Sequence, residues 1–222
     1  MIAILQSVYK PLLETLFLTF VPLIFASIFG LIIGTLIFIS SDNCNILENK
    51  NTFWKVLNKI SDTLVNIFRA VPYIILLIWL IPLAKLLTGH MLGATAALPS
   101  LIVSATPFVA RMCVLAFNEV DKGVLQAGKA MGASVSEIIF KVLYPEAMPA
   151  LVSGIIVTAI NLISYSAMAG AIGAGGLGFT AYNNGLVRTN YPIFYTTVIL
   201  IVALVFLIQY IGDKLVEKID KR

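Results

Sequence analysis

Three observations predict an all-α integral membrane protein with five transmembrane helices. The composition is too apolar for a water-soluble domain: of 222 residues, 59% are hydrophobic and 12% charged, and the mean hydropathy is +0.98. Several uncharged runs approach the roughly 20 apolar residues that a helix needs to cross a bilayer. Between two of them lies a polar, amphipathic insert at 118–147, too organised for a simple connector. No internal repeat or low-complexity tract is visible, so residues 1–222 read as a single transmembrane domain.

The first span is expected at 16–39, because no charge falls between Thr15 and Ser41. Only Lys10 precedes it, and the run is longer than a signal-peptide core, so it reads as a retained span. Pro22 is a candidate kink. Gly30 and Gly34, with Ser27 on the same face, either admit a second helix at close range or reflect ordinary glycine usage in a span. Residues 53–68 place apolar side chains at helical spacing opposite Lys55, Lys59 and Asp62, an interfacial helix with Trp54 at headgroup level. The second span is expected at 70–87, with Lys85 snorkelling to the surface. The third runs over 91–110, carries Pro99 and Pro107, and ends near Arg111, expected first as an anchor at the cytoplasmic interface and second as a substrate contact. A fourth at 149–168 and a fifth at 192–211 follow, separated by a glycine-rich stretch that does not read as a span.

Basic residues set the orientation. Lys50, Lys55, Lys59 and Arg69 follow the first span, Lys122, Lys129 and Lys141 lie in the insert, and Lys214, Lys218, Lys221 and Arg222 close the chain. The opposite side holds Lys10, Lys85 and Arg188. The expectation is an N-terminus outside, a C-terminus in the cytoplasm and a cytoplasmic insert.

Within the insert, Leu125–Met131 suits a helix that Gly132 and Ala133 interrupt. Ser134 followed by Glu137 is a capping box, so a second helix starts there. Its residues Val135, Ile138, Ile139, Val142 and Leu143 form one apolar stripe. Tyr144-Pro145 should end it, since the residue before proline disfavours helix. Small residues, among them Ala127, Gly128 and Ala130, crowd the break and would let a partner approach closely. A hairpin lying on the membrane would show the same stripe.

Several function classes are disfavoured. The net charge of +4 is dispersed along the chain, which is no nucleic-acid signature. Cys44 and Cys113 offer neither a disulfide framework nor metal spacing. The span interiors are nearly free of ionisable groups, which argues against coupling to a proton. No G-x-x-x-x-G-K-[ST] element occurs, so ATP is not expected to bind to this chain. Neither paired carboxylates nor a His cluster nor an activated nucleophile points to an enzyme. Thr158, Asn161, Ser164, Tyr165 and Met168 are the candidates for a solute path or gate; Asn161 and the hydroxyls would serve equally as glue between helices. Gly173, Gly175, Gly176 and Gly178 mark an outer loop, either a gate or binding-protein contact or a packed connector, and His90 sits on an outer turn.

The insert resembles the EAA loop of bacterial ABC-importer permeases, E-A-A-x3-G-x9-I-x-L-P. Gln126-Ala127-Gly128, then Gly132, then Val142-Leu143-Tyr144-Pro145 reproduce its spacing, with Gln126 in place of the acid and Tyr144 in place of the leucine. Phe68-Arg69-Ala70-Val71-Pro72, Ala105-Thr106-Pro107-Phe108 and Ser164-Tyr165-Ser166-Ala167-Met168 are similar to the methionine-uptake branch of that family. The resemblance implies a non-catalytic permease of the bacterial plasma membrane that works as a homodimer among membrane lipid. Its partners would be two cytoplasmic ABC ATPases, which carry the ATP and Mg, and an extracytoplasmic substrate-binding (lipo)protein. This chain would bind no cofactor. The coupling residues it implies are Gln126, Ala127, Gly128, Met131, Gly132, Ala133, Ser134, Glu137, Pro145 and Glu146. The expected cargo is an amino acid, methionine first and another small polar solute second; a self-contained channel or secondary carrier is the remaining alternative.

Overall fold

Long apolar runs with no water to satisfy their backbone must close their hydrogen bonds internally, and here they do so as helices. The computed structural model describes residues 2–41 and 51–220, and no strand occurs among them. Cys44, Lys50, Lys221 and Arg222 lie outside the described residues. Helix α1 spans Ile2–Ser40 and contains both Pro11 and Pro22. Then come α2 (Thr52–Ala70), α3 (Tyr73–Trp79), α4 (Ile81–Thr88) and α5 (Ala94–Asn118). The insert supplies α6 (Lys122–Ala130) and α7 (Val135–Glu137), which passes through a π-helical turn at Ile138–Leu143 into α8 (Tyr144–Ala169). Short α9 (Gly176–Phe179) and α10 (Tyr191–Ile219) complete the chain. Among the described residues, four helices are long and apolar enough to cross a membrane, and a fifth span results if the bent pair α2 and α3 is counted as one.

Two expectations fail here. The second span is not one helix over 70–87. Val71 takes an extended backbone before Pro72, α3 turns 101° from α2, and Leu80 breaks the remainder again. Proline at 72 disfavours the helical conformation at the residue before it, and the chain bends there. Tyr144-Pro145, by contrast, does not end the insert's second helix. Tyr144 keeps helical angles (φ −63, ψ −47), and its N–H donates to the Ile139 carbonyl, five residues back. A π turn of this kind relaxes the i−4 register in which a proline would clash. The result is a continuous rod from Val135 to Ala169.

Helix α1 packs along α5 at very close range. A Cβ added at Gly30 would stand 2.5 Å from Val109 Cβ, and one at Gly34 would stand 2.6 Å from Cys113 Cβ. The glycine pair is thus a helix–helix contact within the chain. Around it lie three buried clusters among the described residues. Toward the insert, Phe38, Phe117, Leu125, Ile138 and Leu143 pack together. Toward the other end, Leu18, Tyr73, Leu101, Leu162 and Ala169 do so, with the Tyr73 ring stacked on Tyr165 at 4.7 Å between centroids. Val65 of α2 meets Ile37 of α1 and Ala110 of α5, and Asn58 Nδ2 donates to the Ile37 carbonyl at 2.7 Å.

Gly30→Val should lower stability by about 1–3 kcal/mol, the usual cost of overpacking a tight contact. Ile32→Val, at a position exposed on the same helix, should change it little. Thermal unfolding of the detergent-solubilised protein compares the two variants.

Candidate coupling insert and solute path

The insert folds as a helical hairpin whose turn is built from local chemistry. Asp121 caps α6 by accepting the Gly123 N–H at 2.7 Å. Helix α6 ends at Met131, and Gly132 takes φ +81, a left-handed angle that suits a residue without a Cβ. Ser134 then caps α7. Its Oγ accepts the Glu137 N–H at 3.4 Å, and Glu137 Oε2 accepts the Ser134 N–H at 3.1 Å. Lys141 Nζ donates to Glu137 Oε1 at 2.9 Å. That bond, followed by those from Ser134, holds the exposed Glu137 carboxyl well below the usual carboxylate range.

The apolar stripe is partly swallowed by the fold. Ile138 and Leu143 are buried against Phe117 and Leu125, whereas Val135 remains exposed. Gly128 faces inward, where an added Cβ would lie 3.8 Å from Ile138 and from Val142. It therefore closes the hairpin on itself and does not present a surface. Gln126, Ala127, Gly132, Ser134, Pro145 and Glu146 are exposed, and Ala133 is half-buried against the core. Met131 is 82% exposed and Phe140 70% exposed, and a Cβ at Gly132 would meet nothing within 4 Å.

Tyr144 ties this hairpin to the membrane helices, a role sequence reasoning missed. Its hydroxyl hydrogen-bonds Thr35 Oγ1 of α1 at 2.7 Å, and its ring meets Phe117 edge-on at 5.3 Å and stacks on Phe140 at 5.8 Å. The available signal was the departure from leucine at this motif position, since a tyrosine between apolar helices needs a partner for its hydroxyl.

The candidate path residues divide. Thr158 is 1% exposed, and its hydroxyl donates to the Gly154 carbonyl of its own helix at 2.7 Å. It is sealed inside the chain and cannot line a path. Ser164 and Met168 are exposed and Asn161 and Tyr165 half-buried, so these four share a face that this chain leaves largely open. Arg111 pairs with Asp62 of α2 at 3.9 Å.

The glycine stretch is held from α1. Glu14 Oε2 accepts the Gly176 N–H and Thr15 Oγ1 the Leu177 N–H, each at 2.8 Å. Gly175 and Gly176 take φ +84 and +78, and Gly173 takes φ +102. A Cβ at Gly175 would stand 2.6 Å from Glu14 Oε2, and one at Gly178 would stand 2.4 Å from Ala167. These glycines pack a turn backbone-to-backbone against α8 and beneath α1. Glu14 precedes the uncharged run that marks the first span, so its position in the sequence carries no sign of this role.

Ser134→Ala should cost the insert about 1 kcal/mol of local stability, the usual worth of an N-cap. Hydrogen exchange at 134–138 should quicken accordingly while the amides of α5 stay protected.

This geometry has counterparts among known proteins. The family model described as binding-protein-dependent transport system inner membrane component matches residues 49–221. The methionine import system permease protein MetP of Bacillus subtilis (strain 168) is 50% identical over 178 residues, 79% of this chain and 80% of its own length. The probable D-methionine transport system permease protein MetI of Pasteurella multocida (strain Pm70) is 43% identical over 210 residues, covering 95% and 94% of the two chains. An inward-facing structure of the MetNI methionine ABC transporter superposes with a TM-score of 0.88 at 41% identity, covering 94% of each chain. With over three-quarters of its length matched, the chain belongs to the family of inner-membrane components of binding-protein-dependent transport systems.

Proposed function

We propose that this chain is the translocating subunit of an ATP-driven importer and that its cargo is methionine. Two copies form the path, and each seats its insert on a cytoplasmic ATPase that supplies ATP, Mg and hydrolysis. An extracytoplasmic binding protein delivers the amino acid, and this chain itself binds no nucleotide. The N-terminus lies outside and the C-terminus inside. The cargo and the ATPase partnership draw support from the relatives' names, which are methionine permeases, and from the MetNI assembly.

The observation that carries the mechanical reading is the continuity of the rod from Val135 to Ala169. A push on the exposed turn at 131–137 travels into α8 without crossing a loop. Tyr144 passes part of it sideways to α1 through Thr35. Helix α8 carries Asn161, Ser164, Tyr165 and Met168, so tilting it moves the candidate path residues together. In this reading Met131, Gly132, Ser134 and Glu137 meet the ATPase directly. Gln126 meets it without the charge the family motif places there. Pro145 and Glu146 lie at the root of the lever. The outer glycine turn travels with α1 through Glu14 and Thr15.

Co-reconstitution with the ATPase and binding protein tests the class: uptake of labelled methionine should require ATP hydrolysis. Equal uptake without ATP would mean a channel or carrier. Gly132→Trp should leave hydrolysis running while uptake falls to background. Gly132→Asn, which tolerates the left-handed angle, should keep both. A binding protein that ignores methionine but takes another solute would replace the cargo and leave the mechanism intact.

A further inference from the structure

Helix α2 has three faces of different chemistry. Val65 is buried against α1 and α5, with Phe68 and Leu57 half-buried on the same side. Val56, Ile60, Leu64 and Ile67 form an exposed apolar face. Lys55, Lys59, Asp62, Asn66 and Arg69 recur every three to four residues, so they share the third face. Within the chain this face is open: of its five side chains only Asp62 is half-buried.

The polar face does not stay at the membrane surface. Near its start, Asn58 Nδ2 bonds the Ser40 hydroxyl at the end of α1. One residue before Arg69, Phe68 lines a groove with Phe29, Ile33, Ile102 and Thr106. At 1.5 Å per residue, Phe29 stands about 16 Å from the end of α1, roughly half of a 30 Å hydrocarbon core. Val65, four residues earlier, packs on Ile37 nearer that end, so Arg69 lies inside the hydrocarbon region, between the level of Ile37 and that of Phe29. A cation there is costly against lipid and must meet water, protein or an anion.

No acid among the described residues serves it. Asp62 lies two turns away, pairs with Arg111 at 3.9 Å and accepts from Asn66 Nδ2 at 3.0 Å. Arg69 itself makes no ion pair among the described residues. The face is thus a graded strip with three cations of its own, Lys55, Lys59 and Arg69, against one acid that is already engaged.

We infer that this polar face lines a water-filled vestibule opening to the cytoplasm, and that Arg69, at its deep end, binds the carboxylate of the passing solute. A guanidinium fits a carboxylate with two parallel hydrogen bonds, and the unpaired state of Arg69 leaves both free for it. Lys59 and Lys55 then extend the attraction toward the exit. The inference rests on the importer reading and names the part of the path that recognises an amino acid by its carboxylate.

Cysteine accessibility tests the vestibule in a chain carrying Cys44→Ala and Cys113→Ala. In inside-out vesicles of the assembled transporter, Arg69→Cys and Asn66→Cys should react with a membrane-impermeant thiosulfonate. Ile60→Cys and Ile67→Cys, on the apolar face, should not. Reaction of Arg69→Cys and Asn66→Cys no faster than Ile67→Cys overturns the vestibule, whether lipid or a second copy covers the face. For the carboxylate, Arg69→Gln should reduce ATP-dependent methionine uptake about tenfold or more, the scale of one lost charge-assisted hydrogen bond, while hydrolysis persists. Arg69→Lys should restore part of the uptake. Wild-type uptake by Arg69→Gln overturns the carboxylate contact. Uptake by the unmodified protein that needs no ATP would sink the importer reading instead, and the labelling pattern would stand apart from it.

Discussion

The close approach of α1 and α5 is the contact from which the rest of the molecule is hung. Gly30 and Gly34 lack the Cβ atoms that would hold the two helices apart there, and Val109 and Cys113 fill the space. In a bilayer, where lipid is as apolar as leucine, such close packing is a main source of helix association. Everything else then falls within reach of α1. Thr35 meets Tyr144 at the root of the insert, Ile37 and Ser40 hold α2 through Asn58, and Glu14 and Thr15 hold the outer glycine turn. One long helix thereby registers the inner, middle and outer layers of the chain against each other.

The insert was legible in the sequence because its signals are local. A capping box needs two residues three apart, and a left-handed turn needs a glycine; both are visible at Ser134, Glu137 and Gly132 without any tertiary context. What escaped was set by geometry between elements. Tyr144-Pro145 carries a strong stop signal, yet the chain spends a π turn at 138–143 to pass the proline, and no local pattern announces that. Thr158 shares a periodicity with Asn161 and Tyr165, but its face points at packed helices. The second span looked continuous by hydropathy, although Pro72 turns it through 101°. Polarity on α2 was read as a surface signature, whereas depth is a property of the packed helix and not of its composition.

Stiffness and compliance are distributed unevenly. From Val135 to Ala169 the chain stays helical without a loop, although Pro145 and Pro149 donate no backbone hydrogen bond, and buried Ile138, Leu143 and Leu151 brace it against α5. The turn at 131–137 is braced mainly by half-buried Ala133, and the rest of its order comes from hydrogen bonds among Ser134, Glu137 and Lys141. Membrane helices of this kind move best as whole bodies, because a new break facing lipid would leave backbone groups without a partner in hydrocarbon.

The π turn has a further geometric effect. It fits one more residue into the coil than an α-helix would over the same rise, and each residue turns a helix by about 100°. The direction in which the capped turn faces, measured around the axis of α8, is therefore set by a single surplus residue between Ile138 and Leu143. The bulge acts as an indexing step on a shaft. It fixes the azimuth of the cytoplasmic end relative to Asn161, Ser164 and Met168, and a proline at 145 keeps that step from slipping back into the ordinary register.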